Sequence, residues 1–166
     1  MNVNNLRVSV YTIPTDAPEA DGTIHWDSTT LILVQASAQG GEHGLGYSYA
    51  HAAAAPLIGE TLAPQVLGLP VYQVGRAWER MINAVRNLGR PGIASHAISA
   101  VDTALWDLKA RAVGLPLFQL LGAHRAEVPA YASGGFTTYD DERTERQFRR
   151  YLQQGFRRVK IKIGEG

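Results

Sequence analysis

The sequence contains no cysteine, which excludes a disulfide framework, a thiolate nucleophile and a cysteine-based zinc site. It also has no large excess of one charge, because its formal net charge is only +1. The overall charge therefore does not favour binding to nucleic acid or to an anionic membrane. No apolar run approaches the roughly 20 residues of a membrane span, and residues 1–11 lack the pattern of a secretory signal. We therefore expect a cytoplasmic protein with neither a nucleic-acid nor a membrane partner.

The composition is that of a globular protein, and the first part of the chain is typical of a β-meander. Hydrophobic residues make up 45% of the 166 positions. Apolar and polar residues alternate around Leu6, Val8 and Val10, which predicts a half-buried strand. A second strand is expected over Thr29–Ala36 and a third over His43–Ser48, after a glycine turn. The residues between the first two strands, Pro14–Asp27, are expected to form a long loop.

Helices are predicted to follow the meander. A short one is expected over Pro56–Val66, and apolar residues at helical spacing from Val74 to Val85 predict another. The strongest helical pattern runs from Ile98 to Ala112, with Ser95 as its expected N-cap.

The last part of the chain has the pattern of a βαβ unit. Strands are expected over Val128–Ser133 and Arg158–Ile163, with a polar helix over Asp141–Gln154 between them. Strands joined in this way pair in parallel. Since two parallel strands and one helix do not complete a sheet, we expect the chain to end inside a larger fold, in a loop over Gly164–Gly166.

The last strand carries two lysines, Lys160 and Lys162, on one face, and apolar side chains on the other. If the strand belongs to a parallel barrel, its inward residues near the carboxyl end point into an active site. Two neighbouring ammonium groups disfavour each other's charge, so one lysine could act as a base. Alternatively, the lysines protect an exposed edge strand from pairing, and the six residues taken alone favour this second interpretation.

A second motif changes that balance. Residues 97–111, AISAVDTALWDLKAR, are followed at 116–122 by PLFQLLG, with acids at Asp102 and Asp107. This pattern closely resembles the signature of the mandelate racemase/muconate lactonizing enzyme family of the enolase superfamily. The resemblance implies an α+β capping domain over residues 1–125, built as a three-stranded antiparallel meander followed by a helical bundle. It implies that residues 126–166 begin a (β/α) TIM-type barrel, truncated after strand 1, helix 1 and strand 2.

The resemblance also implies a chemistry. Members of the family remove the proton α to a carboxylate and stabilise the product with a divalent metal, usually Mg²⁺. Carried over, Lys162 is the general base and Lys160 assists it. The metal ligands are expected on later barrel strands, so none is expected in this chain, which alone should be inactive.

The implied substrate is a small carboxylic acid, and the implied reactions are racemisation or epimerisation, cycloisomerisation and dehydration. The full-length enzyme is expected to be a homo-oligomer. The alternative is a non-catalytic capping or oligomerisation remnant.

Candidate substrate-binding residues come from the family's capping loops, here expected at Pro14–Asp27 and Gly44–His51. They are His25, Trp26, Tyr47 and Tyr49, together with Ser133 at the end of the first barrel strand. For each residue the alternative is ordinary packing. Asp102 and Asp107 do not share a helix face, so salt bridges or caps are expected for them rather than metal binding.

Overall fold

A computed structural model describes residues 1–164 and divides the chain into two compact units. The first unit combines Met1–Ile13 with Thr30–Ala123, and the second combines Pro14–Thr29 with the chain from His124 onward. Within the described residues, no helix is both long enough and apolar enough to cross a bilayer.

The predicted meander is confirmed as a three-stranded sheet in the order β1-β2-β3. Its strands are β1 (Val3–Ala20), β2 (His25–Ala38) and β3 (His43–Tyr49). β2 and β3 pair antiparallel, with Leu31 opposite Tyr49 and Ser37 opposite His43. β1 and β2 are hydrogen-bonded neighbours joined by a turn of four residues, so they are antiparallel too.

The prediction of a long loop over Pro14–Asp27 is wrong. Residues 14–20 continue β1, residues 25–27 begin β2, and only residues 21–24 form the turn between them. Prolines at positions 14 and 18 suggested a loop. However, β1 lies at the edge of the sheet, where a missing backbone N–H does not interrupt a ladder on both sides.

Helical segments cover one face of the sheet. The first segment consists of α1 (Ala54–Pro56), a π-helical stretch (Leu57–Leu62) and α2 (Ala63–Val66), close to the predicted helix. Then come α3 (Val74–Ala84), α4 (Ile93–Ala112) and the short α5 (Leu117–Leu120).

The predicted N-cap of α4, Ser95, is wrong. The N-cap is Gly92, three residues earlier, and the Ser95 hydroxyl donates to the Arg90 carbonyl oxygen at 2.7 Å. Gly92 has a φ of 81°, which lets the chain turn into the helix before the serine is reached.

The core of the first unit lies between the sheet and α4. Buried side chains of β2, including Ile32 and Val34, share it with Val101 and Leu108 of α4. A Cβ atom added at Gly44 or Gly46 of β3 would overlap the backbone of α4. The two glycines therefore allow strand and helix to approach closely, and the sheet can bury its apolar face.

The second unit contains the predicted parallel pair and its helix. β4 (Ala132–Ser133) pairs in parallel with β5 (Val159–Lys160), and α6 (Asp141–Gln153) connects them. The Asp140 side chain caps α6 by accepting a hydrogen bond from the Arg143 N–H at 2.7 Å. Both strands are shorter than predicted, because among residues 1–164 each has only the other as a hydrogen-bonded neighbour. Of the predicted final loop, Glu165 and Gly166 lie outside the described residues.

Candidate active site

The lysine-bearing strand is in register with the end of β4. Ser133 and Lys160 are Cα partners, so their side chains lie on the same face of the parallel pair, and Lys162 follows on that face. The pairing continues past the strand, since the Gly134 N–H donates to the Lys160 carbonyl oxygen at 3.0 Å. The Lys162 N–H in turn donates to the Gly135 carbonyl oxygen at 2.9 Å. The backbone thus holds Lys160 beside Ser133 and Lys162 two residues further along the same face.

The helix α6 packs on the opposite face of the pair. A Cβ atom added at Gly135 would lie 2.9 Å from Phe148 of α6 and 3.1 Å from Ile161, so these two side chains meet there. Ile161 alternates with the lysines, which therefore lie on the face away from α6. Ile161 and Ile163 remain 50% and 81% exposed, and the apolar face of β5 is only partly covered.

The turn of the β1–β2 hairpin lies at the exit of β5. A Cβ atom added at Gly164 would be 3.4 Å from Cα of Gly22. Beside it, one carboxylate oxygen of Asp21 accepts hydrogen bonds from the Thr23 N–H and hydroxyl, both at 2.8 Å, and from the Ile24 N–H at 3.0 Å. These hydrogen bonds, led by that of the Thr23 hydroxyl, lower the pKa of Asp21 from 3.8 to about 2, and the Lys162 ammonium contributes in the same direction. A negative charge thus lies near the expected base.

Sequence reasoning did not single out Asp21. A signal for it was present, because an Asp-Gly pair such as residues 21–22 is a strong indicator of a hairpin turn. Because a loop was expected over Pro14–Asp27, the Asp-Gly pair was not interpreted as a hairpin turn.

Trp26 is anchored within the second unit. Its indole N–H donates to a Glu19 carboxylate oxygen at 2.7 Å, and its ring meets Phe136 edge to face with centroids 5.6 Å apart. The hairpin is also held by the Thr138 hydroxyl, which donates to the Pro18 carbonyl oxygen at 2.7 Å. Of the two candidates on β2, His25 is exposed, whereas Trp26 has its only donor engaged.

Tyr47 and Tyr49 lie on β3, so the prediction of a loop over Gly44–His51 is wrong as far as Tyr49. They alternate with Gly44 and Gly46, which face α4, and therefore point away from that helix. Their side chains are 59% and 60% exposed and contact each other edge to face at 6.0 Å. They belong to the first unit, whereas the lysines, Ser133, His25 and Trp26 belong to the second.

Asp102 and Asp107, the two acids of α4, differ in their surroundings. Asp107 pairs with Arg111 at 2.9 Å, which confirms the expected salt bridge. Within residues 1–164, Asp102 forms neither a salt bridge nor a helix cap, so the expectation is wrong for this residue. Burial of its carboxyl raises its pKa.

Metal-binding side chains do not cluster in this part of the protein. Among residues 1–164, no group of three or more His, Cys, Asp or Glu side chains is arranged to hold an ion.

Comparison with known proteins gives a consistent match. The family model for the N-terminal domain of mandelate racemase / muconate lactonizing enzyme matches residues 7–122. A curated relative, 3,6-anhydro-alpha-L-galactonate cycloisomerase of Streptomyces coelicolor, is 35% identical over 168 residues. That alignment covers 98% of this chain but 46% of the relative, so the chain spans about half the relative's length.

Solved structures agree with this match. A mandelate racemase/muconate lactonizing enzyme-like protein from Rubrobacter xylanophilus is 48% identical with a TM-score of 0.95, covering 99% of this chain and 45% of its own. L-talarate/galactarate dehydratase from Salmonella typhimurium, solved with Mg and L-lyxarohydroxamate, is 29% identical with a TM-score of 0.86. There the match covers 96% of this chain and 44% of the dehydratase.

Proposed function

The chain belongs to the mandelate racemase / muconate lactonizing enzyme family, and on that basis we propose that it is part of an enzyme that removes the proton α to a carboxylate. Residues 1–125 form the capping domain in this proposal, and the chain from residue 126 begins the barrel. The observation that carries it is that Lys160 is in register with Ser133 and Lys162 follows it on the same face, opposite α6. In a barrel whose helices lie outside, that face is the inner one.

Lys162 is the proposed general base. Its amine takes the α-proton of a bound acid, while the Lys160 and Ser133 side chains hold the substrate carboxylate. Fixing the carboxylate orients the α-carbon toward the base, which lowers the entropic cost of proton transfer. His25, Trp26, Tyr47 and Tyr49 are the proposed contacts for the rest of the substrate, with Trp26 contributing its ring because its N–H is engaged by Glu19.

Mg²⁺ is the proposed cofactor of the full-length enzyme, where it would stabilise negative charge on the carboxylate oxygens. The residues described here do not form a site for it. We therefore propose that its ligands belong to the portion of the relatives' length that this chain does not span, and that residues 1–166 alone are inactive.

The proposed substrate is a small polyhydroxy carboxylic acid, and the product is an epimer, a dehydrated acid or a cycloisomer. The relatives named above, a cycloisomerase and a dehydratase of sugar acids, support this range. We also propose that the full-length enzyme is a homo-oligomer and is located in the cytoplasm.

The test is proton exchange by the full-length protein that contains this sequence. Incubated with Mg²⁺ and a panel of sugar acids in D₂O, it should incorporate deuterium at the α-carbon of at least one acid, as followed by NMR. Lys162→Ala should reduce exchange by at least the ~10²–10⁴-fold typical of losing a general base. Lys109→Ala is the matched control, because it also removes a lysine, but one that lies on α4 of the first unit and packs over Trp106.

Two results would contradict the proposal. Full exchange by the Lys162→Ala variant would remove Lys162 as the base. Absence of exchange on every acid would favour the non-catalytic alternative.

A further inference from the structure

Two side chains of α6 hydrogen-bond to the backbone at the carboxyl end of β4. The Gly135 N–H donates to Oε1 of Gln147 at 2.8 Å, and the Tyr151 hydroxyl donates to the Ser133 carbonyl oxygen at 2.9 Å. The helix therefore fixes the segment that follows β4, in addition to packing on one face of the strand pair.

The ladder between β4 and β5 shifts by one residue in this segment. The Gly134 N–H donates to the Lys160 carbonyl oxygen, so in a regular parallel ladder the Gly134 carbonyl would accept from the Lys162 N–H. The Gly135 carbonyl oxygen accepts that hydrogen bond instead, at 2.9 Å. An extra residue of this kind forms a β-bulge, and bulges next to active sites re-aim a side chain. The alignment of Lys162 with β4 thus depends on Gly135.

The conformation of Gly135 depends in turn on α6. Its φ of 60° lies in the left-handed region, which glycine adopts without steric cost. Gln147 accepts from its N–H, and the Lys162 backbone donates to its carbonyl oxygen, so both polar groups of Gly135 are engaged. Gly134 leaves the space for this contact, because a Cβ atom added there would overlap the Gln147 side chain.

We propose that Gln147 is a positioning residue for the abstraction of the α-proton. It acts through Gly135, whose N–H it holds and whose carbonyl oxygen aligns the segment that carries Lys162. This inference rests on the proposed function, in which Lys162 is the base. Without the Gln147 acceptor, the partly buried Gly135 N–H must find another partner, and the bulge and Lys162 shift with it. A displacement on the order of 1 Å is enough to slow such a reaction on the order of 100-fold.

The experiment replaces Gln147 in the full-length protein that contains this sequence. Gln147→Met removes the acceptor and keeps an unbranched side chain of similar length. Exchange of the α-proton is measured by NMR with Mg²⁺ in D₂O, at several concentrations of galactonate, galactarate, gluconate and glucarate, which gives kcat and KM for each acid that the wild type accepts. Gln147→Met should lower kcat on the order of 10- to 100-fold and change KM by less than about twofold, because the base is misplaced while the groups that bind the substrate remain.

Two further variants separate positioning from stability. Gln147→Glu is the conservative variant, because a carboxylate oxygen accepts the same hydrogen bond from Gly135, and it should restore most of kcat. Gln153→Met is the matched control, since it makes the same substitution at an exposed position of the same helix, and it should leave both constants unchanged.

Several results would overturn the inference. They are an unchanged kcat in Gln147→Met, an equal loss in Gln147→Glu or Gln153→Met, and a rise in KM as large as the fall in kcat. A Gln147→Met protein that is unfolded by circular dichroism would also overturn it, because the residue would then serve stability. If Lys162→Ala still abolishes exchange, these results leave the proposed function intact. Full exchange by Lys162→Ala, or no exchange by the wild type on all four acids, would refute the proposed function and the inference with it.

Discussion

The Asp107 carboxylate on α4 accepts a hydrogen bond of 2.9 Å from the backbone N–H of Leu45 on β3. β3 is an edge strand, and Leu45 is paired with Gln35 only on its β2 side. The helix therefore occupies a donor that would otherwise face solvent or a foreign strand. The same carboxylate oxygen pairs with Arg111, so one side chain links helix, strand edge and surface cation.

Asp107→Ala should lower the free energy of unfolding by about 0.5–1.5 kcal/mol, because it removes the acceptor of the hydrogen bond that the Leu45 N–H donates. Asp107→Asn retains an acceptor and loses only an ion pair whose arginine is 58% exposed, so its loss should be below about 1 kcal/mol. Urea denaturation of the 166-residue chain measures both. Equal losses for the two variants would show that the strand-edge hydrogen bond contributes little.

Gly46→Ala should destabilise the first unit. The added Cβ overlaps the Ala100 carbonyl and the Ala104 N–H, which are backbone atoms that cannot rotate away, so β3 must move from α4. Overpacking of this kind costs about 1–3 kcal/mol, or more where the backbone cannot adjust. The matched control is Gly75→Ala in α3, where a Cβ meets no atom within 4 Å; there the free energy of unfolding should rise by about 0.5–1 kcal/mol. A Gly46→Ala variant as stable as wild type would mean that helix and strand are not held this closely.

The Asp21 carboxyl should titrate near a pH of about 2 in a carbon-13 NMR titration, below its ordinary pKa of 3.8. Thr23→Val should raise that pKa more than Lys162→Ala does, because the Thr23 hydroxyl is the largest cause of the shift and Lys162 the smallest. Since the folded-state pKa lies below the unfolded one, the carboxylate's contribution to stability is complete above pH 3.8 and is lost as the pH falls through about 2. A titration at 3.8 in the wild type, or a larger effect of Lys162→Ala, would contradict the hydrogen-bonded turn.

Much of the fold follows from patterns in neighbouring residues. Three features each depend on only a few consecutive residues or helical turns. They are the apolar stripe of α4, the alternation of apolar and polar residues in β1, and the alternation of lysines with apolar residues near β5. The motif over residues 97–122 added the family and, through it, the expectation of a cap leading into a barrel. Local periodicity is sufficient for these features, because a helix or a strand presents its faces at a fixed spacing.

The strand over residues 14–20 was beyond such reasoning, although the pair Asp21-Gly22 indicates the hairpin turn that follows it. Residues 14–20 are polar and contain two prolines, and only the edge position of β1 makes them a strand. The lengths of β4 and β5 depend in the same way on which neighbours are present to accept their hydrogen bonds.

The sequence by itself determined which residues alternate, which stripe is apolar and which family motif is present. The tertiary structure alone decided that the hairpin turn at Gly22 lies beside Gly164, that Trp26 donates to Glu19 and that Asp107 covers the edge of β3. Periodicity is a property of neighbouring residues, whereas the approach of Gly22 to Gly164, near the other end of the chain, depends on the path of every element between them.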